Sequence, residues 1–261
     1  MIDEAKQKLL QRKYSDRVYK SYYKKGWKKL YPDSLIGNFV DYYPLKKAIS
    51  LLPFDLADKS VLSICCGDGF EAEYLYKLGA KVTVSDISVQ AVKAAKRKCP
   101  YLNGVVADAE SLPFKNGSFD LVLVRDGLHH LPNPHKGIRE MNRVSKKGFI
   151  IIEAQRNFIT EILIKFKIAE EYEISGNYVY RFTRQEVHKL MQELKVKNYI
   201  IKTFWCRYSD FLSKRIYPFF NNKFWLSIFK FSFSFLNILF GYFGNSIVVV
   251  AIKNCSTGLS L

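Results

Sequence analysis

The sequence predicts an α/β fold: a seven-stranded mixed sheet with helices on both faces, an N-terminal helical cap and C-terminal helical insertions. Three observations predict it. From Ser60 onward, short β-branched apolar runs alternate with helix-length segments, the pattern of a sheet covered on both sides. Gly79, Pro100 and Gly148 fall near the ends of the helical segments, where stops belong. The 261 residues, 48% of them hydrophobic, suffice for one sizeable core and exclude a disordered chain.

Strands are expected at 61–65, 81–85, 104–107, 120–124 and 148–153. Between them, helices are expected at 70–78, 89–98 and 135–144, each with apolar residues at helical spacing. Residues 1–55 form the cap and 56–155 the core. A segment at 156–182, with an amphipathic 158–168 and a polar turn after it, is expected to be a lid. Residues 183–261 complete the sheet. Thr183-Arg-Gln-Glu186 is a capping box that starts a helix running to Leu194. Strands then follow at 199–205 and 246–253, and 210–244 between them is an aromatic helical insertion. Its polar residues Lys223, Ser227, Lys230, Ser234, Asn237 and Gly241 recur at helical steps. A wide apolar face bears Trp225, Ile228, Phe231, Phe235, Ile238 and Tyr242.

The formal net charge is +17. Residues 1–60 carry 13 Lys/Arg against 7 Asp/Glu, 61–153 carry 13 against 10, and 154–261 carry 15 against 7. The basic excess lies on the flanks, which suits an anionic substrate or surface, or only a solvated Lys-rich exterior. Cys65, Cys66, Cys99, Cys206 and Cys255 are an odd number without CxxC spacing, so a reduced cytoplasmic setting is expected and no metal site. The charged N-terminus lacks the apolar stretch of a secretory signal.

The segment from Val61 through Cys65-Cys66-Gly67-Asp68-Gly69 is a strand entering a Gly-centred turn and then a helix. Gly67 and Gly69 remove the Cβ atoms that would keep a nucleotide cofactor from the backbone, or they merely make a tight turn. Asp86 ends the second strand about 20 residues on, where a carboxylate can accept both ribose hydroxyls. Asp108 follows at the end of the third, placed to meet an adenine edge.

These motifs resemble the class I S-adenosylmethionine-dependent methyltransferases of the small-molecule type, similar to the ubiquinone and menaquinone biosynthesis methyltransferases, over about residues 55–155. The family's first motif reads approximately V-L-D-L-G-C-G-T-G. This chain has Val61-Leu-Ser-Ile-Cys-Cys-Gly-Asp-Gly, with Ser63 for the acid and Cys65 for the first glycine. Ser118-Phe-Asp-Leu-Val and Gly127-Leu-His-His-Leu-Pro-Asn-Pro look like the fourth strand and its loop. The resemblance implies a Rossmann-like sheet whose last strand is antiparallel, with S-adenosyl-L-methionine as cofactor. It places Cys65, Gly67 and Gly69 at the methionine moiety, Asp86 and Ile87 at the ribose and adenine, Asp108 and Ala109 at the adenine, and Arg125 near the amine. His129 and His130 are the available bases. Arg125-Asp126 followed by His130 is similar to the R-D-x-x-x-H run of phosphoethanolamine methyltransferases, which implies that Asp126 holds an amine and His130 removes a proton. Tyr14, Tyr19, Tyr22, Tyr23 and Tyr43 could supply a phenol, or could line a helix laid over the cofactor entrance.

The expected activity is methyl transfer to an O or N nucleophile of a small-molecule or lipid-like acceptor. One rival is a nucleic-acid (RNA) methyltransferase, suggested by the charge and by Lys24-Lys-Gly-Trp-Lys-Lys, but no RNA-binding module and no D/N-P-P-Y/F tetrapeptide is present. The other is a non-catalytic cofactor-binding protein of the same fold, suggested by Ser63 and Cys65. The apolar segment near 223–243 has the length of a membrane span, but strands on either side of it should pair in one sheet, so the chain must return to the side it left. The remaining choices are a helix packed as a substrate lid and a helix lying in the bilayer interface with Lys214, Arg215, Lys223 and Lys230 available to anionic headgroups, and of the two, contact with an anionic membrane surface is expected.

Overall fold

The computed structural model describes residues 3–24, 34–169, 171–172, 178–206 and 220–253. Helix α1 (Glu4–Lys24) and α2 (Leu35–Ser50) make the cap. The core runs β1 (Ser60–Ile64), α3 (Phe70–Lys77), β2 (Lys81–Asp86), α4 (Val89–Lys98), β3 (Asn103–Val106), β4 (Phe119–Arg125), α5 (Pro134–Val144) and β5 (Ser145–Ala154). Then come α6 (Phe158–Lys165), α7 (Arg184–Glu193), β6 (Asn198–Phe204), α8 (Lys223–Phe240) and β7 (Ser246–Ile252).

The seven strands form one sheet in the order β3-β2-β1-β4-β5-β7-β6. The first five are parallel, and β7 inserts antiparallel to both β5 and β6, as expected. Alternate side chains feed two cores. Val61, Val82, Leu121 and Val248 meet α2, α3, α4 and α8 through Leu45, Leu75, Ala95 and Phe233. Leu62, Val122, Phe149 and Val249 meet α5 and α7 through Ile138, Met141 and Leu190. A sheet apolar on both faces must be covered on both, which fixes the layered architecture. Strand order reverses between β1 and β4, so the connections leaving their carboxyl ends diverge to opposite faces and open a crevice there.

Several boundaries differ from expectation. β5 begins at Ser145 and Gly148 lies inside it. Gly148 is not a helix stop: a Cβ there would stand 2.1 Å from the Ala251 carbonyl oxygen, so it is glycine because β7 passes close. Helix α6 ends at Lys165, where Lys167 takes a positive φ of 56° and turns the chain. The long apolar helix ends at Phe240 and finishes in a 3-10 turn, Gly241–Phe243. The Thr183 capping box forms as read, with the Glu186 N–H donating to the Thr183 hydroxyl and the Glu186 carboxylate accepting from Thr183 N–H. Residues 173–177, 25–29, Lys214, Arg215 and Cys255, which carried expectations above, lie outside the described residues, as do the side chains of Tyr22 and Tyr23.

Candidate active site

β1 delivers the chain into a turn in which Cys65, Gly67 and Gly69 all take left-handed backbone, with φ of 50°, 51° and 74°. Glycine accepts this without cost, whereas Cys65 bears a strain of about 1 kcal/mol. Its side chain has space only because residue 127 is glycine: a Cβ there would lie 2.3 Å from Cys65 Cβ. The departure at Cys65 from the family pattern is thus matched by a gap on the facing loop. Gly69 is required by packing, since a Cβ would meet Ala95 of α4 at 2.7 Å.

Asp86 ties this turn to the end of β2. Its Oδ2 accepts from Gly67 N at 3.1 Å and its Oδ1 from Ser88 N at 2.9 Å. Only 9% exposed, it has its carboxyl pushed above the usual range by burial, opposed by those two N–H groups and by the nearby charge of His130. Ile87 follows, half-buried. Asp108 stands two residues past β3, where its Oδ1 accepts from Glu110 N at 2.9 Å, and Ala109 beside it is buried. From the end of β4, Arg125 lays its guanidinium 4.9 Å over the Phe70 ring, 3.5 Å from Glu71 and 3.3 Å from Asp126. Asp126 takes φ of 52° at the turn into the next loop.

That loop is a 3-10 turn, Leu128–His130, hung on one buried carboxylate. Glu153 Oε1 accepts from Gly127 N at 2.8 Å and Leu128 N at 2.7 Å, while its Oε2 meets His129 Nδ1 at 2.8 Å. Three partners at one fully buried acid make His129 a structural member of the loop. His130, its ring centroid 4.1 Å from that of His129, is only partly buried and is close enough to Asp86 to favour the charged carboxylate.

Helix α1 roofs the same edge. Lys8 Nζ lies 2.7 Å from both Asp108 Oδ2 and Glu110 Oε2. Asp16 Oδ1 accepts from the Ser88 hydroxyl at 2.5 Å and from Gln90 N at 3.3 Å. Tyr19 presses on the turn so closely that a Cβ on Gly67 would lie 2.5 Å from its Oη. Burial, then the charges of Asp86 and Asp68, hold the Tyr19 phenol well above its ordinary pKa, so it stays protonated.

The fold therefore collects Cys65, Gly67, Gly69, Asp86, Ile87, Asp108, Ala109, Arg125, Asp126, His129 and His130 at the carboxyl edge of β1–β4. Among the tyrosines, Tyr19 joins them. Tyr43 instead packs on Phe204 and Phe233 at 5.2 and 4.7 Å. Burial raises the Cys65 and Cys66 thiols well above their usual value, which removes both as nucleophiles. No group of three or more His, Cys, Asp or Glu suited to a metal occurs among the described residues. A depression lined by Tyr76, Gly79, Lys81 and Tyr101 lies at the opposite, amino edge of the sheet.

Lys8, Asp16, Glu110 and Glu153 were not singled out from sequence. The one available signal was at Glu153, an acid closing an apolar strand, because a buried acid requires partners. Lys8 meets Asp108 across 100 positions, and nothing local marks that pairing.

Residues 62–152 match the family model described as a methyltransferase domain. A demethylmenaquinone methyltransferase of Paenarthrobacter aurescens is 32% identical over 134 residues, which are 47% of this chain and 53% of that protein. A phthiotriol/phenolphthiotriol dimycocerosates methyltransferase of Mycobacterium ulcerans is 30% identical over 139 residues, covering 51% of this chain and 49% of that one. The chain thus matches about half the length of these curated relatives. The fold is shared over nearly all of it with a SAM-dependent methyltransferase of Thermotoga maritima, with a TM-score of 0.61, 18% identity, and coverage of 94% of this chain and 99% of that one. The magnesium protoporphyrin IX methyltransferase of Synechocystis, solved with bound SAH, gives a TM-score of 0.61 at 16% identity over 95% of this chain and all of its own. Residues 62–152 are therefore similar to the methyltransferase-domain family, in a chain that shares its fold with these solved S-adenosylmethionine-dependent methyltransferases.

Proposed function

We propose that the chain is an S-adenosylmethionine-dependent methyltransferase that acts on an O or N nucleophile of a small, lipid-like acceptor. The observation that carries the reading is the Cys65–Gly69 turn pinned to Asp86, in a domain of methyltransferase sequence. The donor set suits the nucleoside. Each oxygen of Asp86 spends one acceptor site on a backbone N–H and keeps another for a ribose hydroxyl. Asp108 and Ala109 would hold the adenine edge, Gly67 would keep a side chain out of the cofactor's path, Gly69 lets the turn pack on α4, and Arg125 would border the amine end.

The bound cofactor supplies a methyl group on a positively charged sulfur, ready for in-line displacement. The protein's work is then to orient the acceptor and to remove its proton. His130 would take that proton on a ring nitrogen, and Asp126 would hold a cationic or hydroxyl group of the acceptor. Glu153 and His129 fix the loop that carries both. The lipid-like acceptor class is supported by the names of the relatives, which refer to a menaquinone precursor and to phthiotriol lipids. A cytoplasmic protein in peripheral contact with an anionic membrane through 210–244 fits such an acceptor.

The test is incubation of the purified chain with isotopically labelled S-adenosylmethionine and a total lipid extract, read by mass spectrometry. The label is expected in a lipid-soluble product, and less of it with His130→Ala. Label confined to RNA, or to no acceptor in any cell extract, would overturn the reading.

A further inference from the structure

We propose that α6, α8 and the turn Gly241–Phe243 together form a docking surface for an anionic lipid bilayer on the rim of the active site. The inference that the acceptor enters from the bilayer rests on the lipid-like acceptor proposed above. The surface itself stands on separate observations.

Helix α8 turns its apolar side outward. Phe231 and Ile238 are 76% and 81% exposed, whereas the inward positions do the attaching. Phe233 is buried against Phe39 and Tyr43, and Asn237 Oδ1 accepts from Trp205 N at 2.7 Å. Part of the polar stripe thus faces the protein and leaves the wide apolar face without cover. A water-facing helix has the opposite arrangement.

Helix α6 continues the same surface. Its N-cap Asn157 donates through Nδ2 to the carbonyls of Phe243 at 3.1 Å and Gly244 at 2.7 Å, which locks the start of α6 to the end of the turn. Phe158 and Phe166 are 73% and 69% exposed, and Tyr242 across the junction is 63% exposed. An uncovered apolar face built from two separate chain segments marks an interaction site.

Charge and topology select the occupant. Lys223–Phe243 contains no acidic residue, Lys223 and Lys230 are exposed on it, and Lys165 and Lys167 are exposed at and just past the end of α6, whose single acid, Glu161, is paired with Arg156. Aromatic bulk edged by lysines matches an acyl boundary beneath anionic headgroups. A second copy of the chain would set one lysine-edged face against another, with no acid in Lys223–Phe243 to pair the lysines. The helix is apolar enough to span a bilayer, but β6 and β7 on either side of it pair Phe204 with Ser246, so it lies in the interface. The junction at Asn157 stands three residues past the end of β5, whose Glu153 is the carboxylate that holds the His130 loop. A lipid acceptor therefore leaves the bilayer beside the site.

The experiment is sedimentation of the full chain with phosphatidylcholine vesicles, alone or mixed with phosphatidylglycerol. It is run for the wild type, for Phe231→Ser with Ile238→Ser, and for Phe158→Ser with Phe166→Ser. Wild type is expected to pellet with the anionic vesicles, with partitioning weakened about tenfold or more by neutral lipid and by either pair of substitutions. Unchanged S-adenosylmethionine affinity in the variants shows that they are folded. Absence from both pellets, equal binding to both lipids, or a solution mass of two chains with the variants monomeric would overturn the proposal. Vesicle binding without any cofactor binding would remove the methyltransferase reading and leave the surface standing.

Discussion

His129 Nδ1 and Glu153 Oε2 meet at 2.8 Å, and the two side chains are 6% and 0% exposed. Because Glu153 also receives the Gly127 and Leu128 N–H groups, one carboxylate sets the path of the loop after β4. Glu153→Ala leaves these donors buried without an acceptor and is expected to cost about 3–5 kcal/mol in urea unfolding. His129→Ala is expected to cost less, about 1–3 kcal/mol, with turnover affected mainly through stability. Wild-type stability in Glu153→Ala would show that the loop is held some other way.

Lys8 is the pin of the α1 roof. Its partner Glu110 has a side chain with no exposure, so Lys8→Met removes the cation that compensates a buried acid. Burial acts against the charge on Lys8, but hydrogen bonds and charge from Asp108 and Glu110 outweigh it and raise its pKa. In Lys8→Met, α1 should become more sensitive to limited proteolysis, and stopped-flow should show faster cofactor exchange. Exchange at the wild-type rate would mean that α1 does not control access.

At Gly67 the backbone takes φ of 51° and Tyr19 leaves no space for a Cβ. Gly67→Val is expected to abolish detectable cofactor binding, with additional loss from strain of about 1–3 kcal/mol. Gly67→Val with Tyr19→Ala should regain thermal stability without regaining cofactor affinity, because the side chain stands in the cofactor's path. Recovery of affinity in the double variant would show that only Tyr19 was displaced.

Much of this arrangement was legible in the sequence because it is local. Strand-turn-helix punctuation at 61–70, the acids closing β2 and β3, and the Thr183 box each declare themselves within a few residues. Boundaries moved where distant chain intervened, as at Gly148, which is glycine for the sake of Ala251. The contacts of Lys8 with Asp108 and of His129 with Glu153 join elements far apart in sequence and have no periodic signature. The stripe on α8 was visible, but its orientation was not: that depends on Trp205, whose backbone N–H holds Asn237 inward, and on the Thr203 carbonyl, against which Gly241 lies closely.

His130 borders Asp86 on the partly exposed side of the loop, and a proton acceptor there would act on turnover. His130→Ala is expected to lower kcat by about tenfold to a thousandfold while cofactor affinity changes little. A fall of less than about tenfold would remove His130 as the base.

The central claim is that the β1 turn and Asp86 hold S-adenosylmethionine, and calorimetric titration of that cofactor into wild type and Asp86→Ala tests it most directly. The account predicts one molecule bound per wild-type chain and a loss of about 1–3 kcal/mol in the variant. Since burial raises the Asp86 carboxyl above its ordinary 3.8, wild-type affinity should fall on acidification as that carboxylate takes up its proton, beginning above the usual Asp range, and Asp86→Ala should lack this dependence. No binding by the wild type, or equal affinity in the two proteins across pH, would contradict the account.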